Sequence, residues 1–114
     1  MTSAPMIVVL CTVPDEATGE RLARMLVGDR LAACVNILGG VRSIYRWRGA
    51  IEDAGEALLV IKTRRELFEP LRARLVDAHP YDVPEVVALP VDAVHEAYAR
   101  WLVDETVPRG GAIP

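Results

Sequence analysis

The sequence predicts one α+β domain, in which a four-stranded antiparallel sheet carries helices on one face and a further helix follows at the C-terminal end. The chain has 114 residues, the length of a single domain, and 52% of them are apolar, enough to fill a core. Apolar runs and helical patterns follow the order β-α-β-β-α-β, and two split β-α-β units of this kind form a ferredoxin-like sheet. We therefore expect one domain over residues 1–114, with an ordered core at about 6–106 and a flexible tail at 107–114.

The first part of the chain predicts a strand, a helix and a second strand. Met6–Cys11 is a continuous apolar run rich in β-branched residues, which is typical of a central strand. Thr12 can cap the helix that follows, with Asp15 three residues further on. Leu31–Ile37 predicts the second strand, and Gly39–Gly40 predicts a bend or bulge at its end.

The middle of the chain predicts a long hairpin. Side chains alternate over Val41–Arg48, which puts Tyr45 and Trp47 on one face. Gly49 marks the turn, and Ile51–Thr63 returns as a strand. A long hairpin with an aromatic face and unpaired edges is usually covered by another part of the protein or by another subunit. We therefore expect subunits to associate, with Tyr45 and Trp47 at the interface between them.

The rest of the chain predicts a helix, an edge strand and a last helix. Glu66–His79 has an apolar stripe at helical spacing, and Pro80 ends it. Val86–Val91 is the last strand, and Pro90 within it favours a position at the sheet edge. Asp92 is placed to cap the third helix.

Composition excludes several classes of protein. A net charge of −3 argues against a nucleic-acid binder, which needs surplus basic residues. The sequence has no run of 18 apolar residues and no basic segment at its N-terminus, so we expect neither a membrane span nor a secretory signal. Its two cysteines form no Cys-x-x-Cys motif and are expected to be reduced thiols, which favours the cytoplasm.

The two cysteines differ in whether they could bind a metal ion. Cys11 ends the first strand where a helix begins, so it is either a small core side chain or a thiolate that binds a soft metal such as Cu(I) or Zn²⁺. Cys34 lies in the middle of the second strand and is expected to be inert core.

A polar loop and a lysine are the other candidates. His79 opens the segment 79–85, which two prolines stiffen; it is either a helix-end residue or part of a preorganised ligand site. Lys62 closes the third strand and either reaches solvent or faces an acidic partner such as Glu85, or a bound anion. His95 is expected to be exposed.

Six segments together resemble the CutA divalent-cation-tolerance family over about residues 6–104. They are Leu-Cys-Thr-Val-Pro-Asp-Glu-Ala (10–17), Leu-Ala-Ala-Cys-Val-Asn-Ile (31–37), Ser-Ile-Tyr-Arg-Trp-Arg-Gly (43–49), Ile-Lys-Thr (61–63), His-Pro-Tyr-Asp-Val-Pro-Glu (79–85) and Tyr-Ala-Arg-Trp-Leu (98–102). The resemblance implies a trimer built like the PII signalling proteins, a role in tolerance of divalent metal ions, and copper binding in some members. It places the family's proposed ligands at Cys11 and His79, while Ala78 stands where some members have a second histidine.

These observations lead to one expected function and two alternatives. We expect a non-enzymatic homotrimer that responds to metal ions and binds copper, or zinc, through Cys11 and His79, with no organic cofactor, nucleic acid or membrane partner. The first alternative is a PII-like signalling module that holds a small ligand in clefts between subunits, near Lys62, Tyr81 and Glu85. The second is a small hydrolase with Glu85 or His79 as base, although no nucleophile–base pair stands at recognisable spacing.

Overall fold

The computed structural model describes residues 5–107. The elements are β1 (Met6–Val13), α1 (Glu16–Gly28), β2 (Cys34–Trp47), β3 (Ala50–Arg64), a 3-10 turn (Arg65–Leu67), α2 (Phe68–Ala78), β4 (Val87–Pro90) and α3 (Glu96–Glu105). Every strand pair is antiparallel, and the sheet order is β2-β3-β1-β4. The predicted α+β class and ferredoxin-like strand order are therefore confirmed. No helix within these described residues is long and apolar enough to cross a membrane.

Strand alternation gives the sheet two different faces. Because side chains alternate along a strand, the odd-numbered residues of β1 and β3 share one face. That face packs against α1 and α2, and the core contains Val9, Cys11, Leu59, Ile61, Leu22, Leu26, Leu71 and Leu75. Burial of these side chains is the main stabilising contribution, at about 1.5–3 kcal/mol for each large aliphatic residue. The even-numbered residues, Thr12 and Glu56 among them, point to the opposite face, which we call the open face.

The hairpin of β2 and β3 contains the bulge that Gly39–Gly40 predicted. The register shifts between Leu38 and Val41, which pair with Leu58 and Glu56. Between these two pairs the chain advances three residues along β2 but only two along β3, so β2 contains one extra residue. Gly40 takes a φ of +73°, a conformation that glycine adopts without steric cost. Without the extra residue, alternation would turn the side chains beyond the bulge to the other face; with it, Val41 shares the open face with Glu56.

The hairpin turn consists of two residues, Arg48 and Gly49, with φ of +51° and +83°. Two consecutive residues with positive φ are typical of a type I′ turn, which matches the right-handed twist of the strands that it joins. The predicted turn at Gly49 is confirmed, and Arg48 shares the unusual conformation.

The first helix starts later than predicted. Strand β1 continues to Val13, because Thr12 pairs with Leu58 in the sheet. The N-cap is instead Asp15, whose carboxylate accepts a hydrogen bond of 2.7 Å from the Thr18 backbone N–H. Thr12 as a helix cap was wrong, because its place in the ladder requires extended backbone.

The second strand also starts later, at Cys34 rather than Leu31. The backbone N–H groups of Leu31 and Ala32 donate to the Leu26 carbonyl, which closes the end of α1. The runs predicted separately before and after the glycines form one bulged strand.

The second half of the chain follows the prediction with shifted helix starts. The helix predicted at 66–79 is the 3-10 turn followed by α2, and His79 already has extended backbone. Strand β4 lies at the sheet edge, as Pro90 predicted. Asp92 does not cap α3, because the helix begins at Glu96 with His95 in the N-cap position and no side-chain cap. His95 is exposed, as expected.

The end of α3 is tied to the loop after α1. Arg30 donates from its guanidinium to the Asp104 carbonyl at 2.7 Å, and the Val107 N–H donates to the Arg30 carbonyl at 2.9 Å. Val107, the first residue of the tail predicted to be flexible, is buried. The rest of that tail, 108–114, lies outside the described residues.

Candidate functional site: a cleft under the hairpin

A cleft of about 690 Å³ lies beneath the long hairpin, between the open face of the sheet and the loop after α2. We call it the hairpin cleft. Its walls come from β1, β2, β3 and the loop 80–85, and they are Thr12, Ser43, Ile44, Tyr45, Trp47, Glu56, Pro80, Tyr81, Asp82, Val83 and Glu85. The bulge at Gly40 makes this site, because it turns Ser43, Tyr45 and Trp47 to the same face as Glu56.

The best-defined contact in the hairpin cleft joins the loop to the sheet. The Tyr81 hydroxyl donates to Glu56 Oε2 at 2.7 Å, and Glu56 is only 9% exposed. Burial, and then the hydrogen bond to the Glu56 carboxylate, raises the pKa of Tyr81 well above its usual range. Tyr81 therefore remains a neutral donor, and a buried carboxylate is held by a hydrogen bond to it.

Two further carboxylates stand at the mouth of the hairpin cleft. Glu85 accepts a long hydrogen bond of 3.4 Å from the Thr12 hydroxyl, and Asp82 lies 3.4 Å from Arg48 Nη2 in an exposed ion pair. The Arg48 guanidinium also lies over the Trp47 ring, 5.1 Å from its centroid. Among the described residues that line the cleft, three are acidic and none is basic.

His79 is almost fully buried, at 8% exposed, and both of its ring nitrogens have backbone partners. Nδ1 accepts from the Tyr81 N–H at 3.1 Å, which leaves the proton on Nε2, 2.9 Å from the Thr12 carbonyl oxygen. The ring thus fastens the end of α2 to the end of β1 and orients Tyr81 into the hairpin cleft.

Cys11 points away from the hairpin cleft. It is 0% exposed within the core beneath α1 and α2, and its thiol lies 3.6 Å from the Thr12 carbonyl oxygen. Burial, followed by the negative charges of Glu85 and Glu56, raises the pKa of Cys11 from 9.0 to about 12. A metal needs the thiolate, and this environment opposes its formation.

The predicted metal ligands therefore do not fit a copper or zinc ion in this arrangement. Cys11 and His79 converge on the same carbonyl, that of Thr12, but the thiol is protonated and neither imidazole nitrogen has a free lone pair. Within residues 5–107, no group of three or more His, Cys, Asp or Glu side chains is arranged to hold a metal ion.

The remaining predicted residues fall at separate places. Tyr81 and Glu85 line the hairpin cleft, as expected, but Lys62 does not: its ammonium donates to Asn36 Oδ1 at 2.6 Å. Cys34 pairs with Lys62 across the sheet and lies on the open face. It is half-buried and is therefore not part of the core, in which it was expected to lie. Tyr45 and Trp47 are both exposed along the cleft wall.

Sequence reasoning missed Glu56 as a site residue. Glu56 directly precedes the apolar run Ala57–Ile61 within the predicted strand. The available signal was alternation: a carboxylate two residues before Leu58 shares a face with it, and that face is the one left open by the helices.

The strand order, the bulged hairpin and the cleft beneath it define a class of protein: a small ferredoxin-like protein with an acidic, aromatic cleft on its open sheet face. Comparison with known proteins gives the family. Residues 7–105 match the family model described as CutA1 divalent ion tolerance protein. The chain belongs to this family.

Similar proteins come from bacteria and plants. The divalent-cation tolerance protein CutA of Thermus thermophilus is 48% identical, over 87% of this chain and 96% of that protein. The chloroplastic CutA of Arabidopsis thaliana is 46% identical over 91% of this chain, which spans only 57% of that longer relative. The crystal structure of CutA1 from Oryza sativa superposes with a TM-score of 0.88 at 44% identity, covering 93% of this chain and 97% of that one.

Proposed function

We propose that this chain is a non-enzymatic, homotrimeric binding protein of the metal-ion response, and that the hairpin cleft holds its ligand. Membership of the divalent ion tolerance family supports the role in metal response. One observation carries the choice of site: Tyr81, Glu56 and Glu85 converge on an open cleft, while Cys11 and His79 are engaged in the fold. The choice of site follows the PII-like alternative, in which a cleft holds a small ligand. The expected compartment is the cytoplasm, where unpaired thiols such as Cys11 and Cys34 persist.

The exposed hairpin supports the trimer. Ile44 is 66% exposed and Ile51 is 70% exposed, and Tyr45 and Trp47 add aromatic surface beside them. Apolar area of this extent on a long two-stranded ribbon favours association with further copies of the chain. Light scattering at micromolar concentration is expected to give about three times 12.5 kDa; the mass of a monomer would contradict the proposal.

Soft-metal binding at Cys11 and His79 stays a prediction, and it would require both residues to give up contacts that they make in the fold. Copper or zinc would have to displace the thiol proton. It would also have to break one of the two hydrogen bonds of the His79 ring, either the one that Nδ1 accepts from the Tyr81 N–H or the one that Nε2 donates to the Thr12 carbonyl. Metal uptake there should therefore be weak at neutral pH and accompanied by rearrangement of the loop 80–85.

The contacts of His79 also bear on the hydrolase alternative. A general base needs a free lone pair within reach of its substrate. His79 Nδ1 already accepts from the Tyr81 N–H, and Nε2 carries the proton. Glu85 accepts from the Thr12 hydroxyl only at 3.4 Å, too weak an arrangement to make that hydroxyl a nucleophile. We therefore favour binding over catalysis.

A calorimetric panel tests the proposed site. Copper, zinc, magnesium and a nucleotide are titrated into the wild type, Glu85→Gln and the matched control Glu20→Gln, whose carboxylate pairs with Arg24 on the exposed face of α1. Binding in the hairpin cleft should weaken in Glu85→Gln and remain in Glu20→Gln. Equal affinities in all three proteins would remove the cleft as the ligand site.

A further inference from the structure

We propose that the hairpin cleft is completed across the subunit interface, where the partner subunit's Lys62 enters it and pairs with Glu85. The inference rests on the proposed homotrimer. It adds a residue from a second copy of the chain to the ligand site of the proposed function, and it names the contact that joins one copy to the next.

The far end of the hairpin is a ribbon that has no cover within its own chain. The pairing of β1 with β3 ends at Val13 and Ala57, and beyond it β2 and β3 continue as two strands alone, 41–47 against 50–56. A two-stranded ribbon is only marginally stable in water, and Ile51 near its tip is 70% exposed. In the proposed trimer another copy therefore covers the ribbon and the hairpin cleft beneath it.

The open face of the sheet is a surface that can receive this ribbon. Its apolar side chains Leu38, Val87 and Leu89 are each 45–46% exposed in the single chain. Lys62 lies on the same face, half-buried, and its ammonium donates to the exposed Asn36. In a closed ring of three copies the interfaces are heterologous, so that one patch of a copy meets a different patch of the next. The ribbon end of one copy and the Lys62 end of the next are two such patches.

The charges of these two patches are complementary. Glu85 accepts only a long hydrogen bond of 3.4 Å, from the neutral Thr12 hydroxyl. Lys62 is the single lysine of the sequence, and within residues 5–107 it forms no ion pair. If the trimer covered both groups without pairing them, it would bury uncompensated charges, which is strongly unfavourable. An ion pair across the interface removes that penalty.

The two charged groups are held apart within one chain. Glu85 lies beside Thr12, which pairs with Leu58 on β3, four residues before Lys62. Those four residues span about 13 Å along the strand at about 3.3 Å per residue. The ammonium is also turned toward Asn36 on β2, on the side of β3 away from β1. A contact between Lys62 and Glu85 is therefore a contact between copies.

Zero-length cross-linking tests this contact, because a carbodiimide joins an ammonium to a carboxylate only where the two groups touch. The other amine of the chain is its N-terminus, so a cross-link from an internal amine comes from Lys62. Unlabelled and ¹⁵N-labelled chains are mixed, unfolded and refolded together, and the cross-linked peptides are identified by mass spectrometry. We expect a Lys62–Glu85 amide that joins an unlabelled peptide to a labelled one, and its loss in Glu85→Gln.

Substitutions of Lys62 separate its charge from its place in the fold. Lys62→Gln should raise the concentration at which half of the trimer dissociates by about tenfold or more, because it leaves a covered carboxylate without its partner. Lys62→Arg keeps the charge and should retain the trimer. Arg24→Gln, which removes an exposed cation from α1, is the matched control and should dissociate as the wild type does. Sedimentation over a dilution series measures dissociation, and circular dichroism verifies that each variant is folded.

The possible outcomes separate the inference from the proposed function. In a protein of trimer mass, the composite site would be overturned by a Lys62 cross-link confined to peptides of one label, by a cross-link to another carboxylate, or by no cross-link. Dissociation of Lys62→Gln like that of the wild type would overturn it as well. The mass of a monomer would reject the proposed trimer together with the inference, while the metal and nucleotide panel decides whether the cleft binds a ligand.

Discussion

The buried thiol of Cys11 gives a pH dependence of stability that can be worked out from the structure. Its pKa rises from 9.0 to about 12 in the fold, chiefly through burial. Below pH 9 the folded and unfolded chains both hold the proton, so the full stability is present. Between pH 9 and 12 only the folded chain holds it, so the free energy of unfolding falls by about 1.4 kcal/mol per pH unit, or about 4 kcal/mol in all.

Replacing the thiol isolates this effect from every other titrating group. In a Cys34→Ala background, wild-type Cys11 and Cys11→Ala are unfolded in urea at pH 8, 9, 10 and 11 and followed by far-UV circular dichroism. At pH 8 the variant should be less stable by about 1–2 kcal/mol, because it leaves a small cavity in the core. Above pH 9 the wild type should lose stability faster, so the two curves should converge and cross near pH 10–11.

Parallel pH profiles of the two proteins would contradict a raised pKa of Cys11 in the folded state. They would show that Cys11 ionises in the folded protein as readily as in the unfolded chain, and thus that its thiolate is available to a metal. A thiol reagent adds an independent readout in the same background: Cys11 should react at pH 8 only after urea is added.

Three further substitutions test the hairpin cleft and the hairpin. Tyr81→Phe leaves the buried Glu56 carboxylate without its donor, and urea unfolding should show a loss of about 1.5–3 kcal/mol; adding Glu56→Gln should recover part of it, and no loss at all would mean that water solvates the carboxylate. Arg48→Asn should raise the free energy of unfolding by about 0.5–1 kcal/mol, because Asn-Gly is the preferred pair for a type I′ turn; a less stable variant would contradict that turn type. Trp47→Ala should lower the melting temperature and promote dissociation, because the proposed trimer covers this ring, which is exposed in the single chain, and truncating a buried aromatic side chain typically costs about 3–5 kcal/mol; an unchanged mass and melting curve would show that Trp47 is exposed in the assembly.

The sequence predicted the elements whose signals are local. The apolar run of β1, the turn at Gly49 and the bulge at Gly39–Gly40 each depend on a few neighbouring residues, and the structure contains all three. Element starts were less predictable. Thr12 has the chemistry of a helix cap, but its pairing with Leu58 across the sheet decides its backbone conformation.

The candidate site depended on contacts that no local pattern contains. The orientation of Cys11 into the core follows from the full register of β1, and the two hydrogen bonds of His79 join it to Thr12 and Tyr81. Glu56 and Tyr81 are distant in sequence, and only the packing of the loop against the sheet brings them together. The resemblance gave the family. At the positions that it marked for copper, Cys11 is packed in the core and His79 is hydrogen-bonded to the backbone, and metal binding there stays a prediction.

We propose that this protein binds its ligand in the hairpin cleft and not at the pair Cys11 and His79. Copper titration of the wild type, Cys11→Ala and Glu85→Gln at pH 7 distinguishes the two sites, with circular dichroism to verify that each variant is folded. We expect Cys11→Ala to bind copper as the wild type does, and only Glu85→Gln to lose affinity for it. Copper binding abolished in a folded Cys11→Ala, and retained in Glu85→Gln, would contradict it.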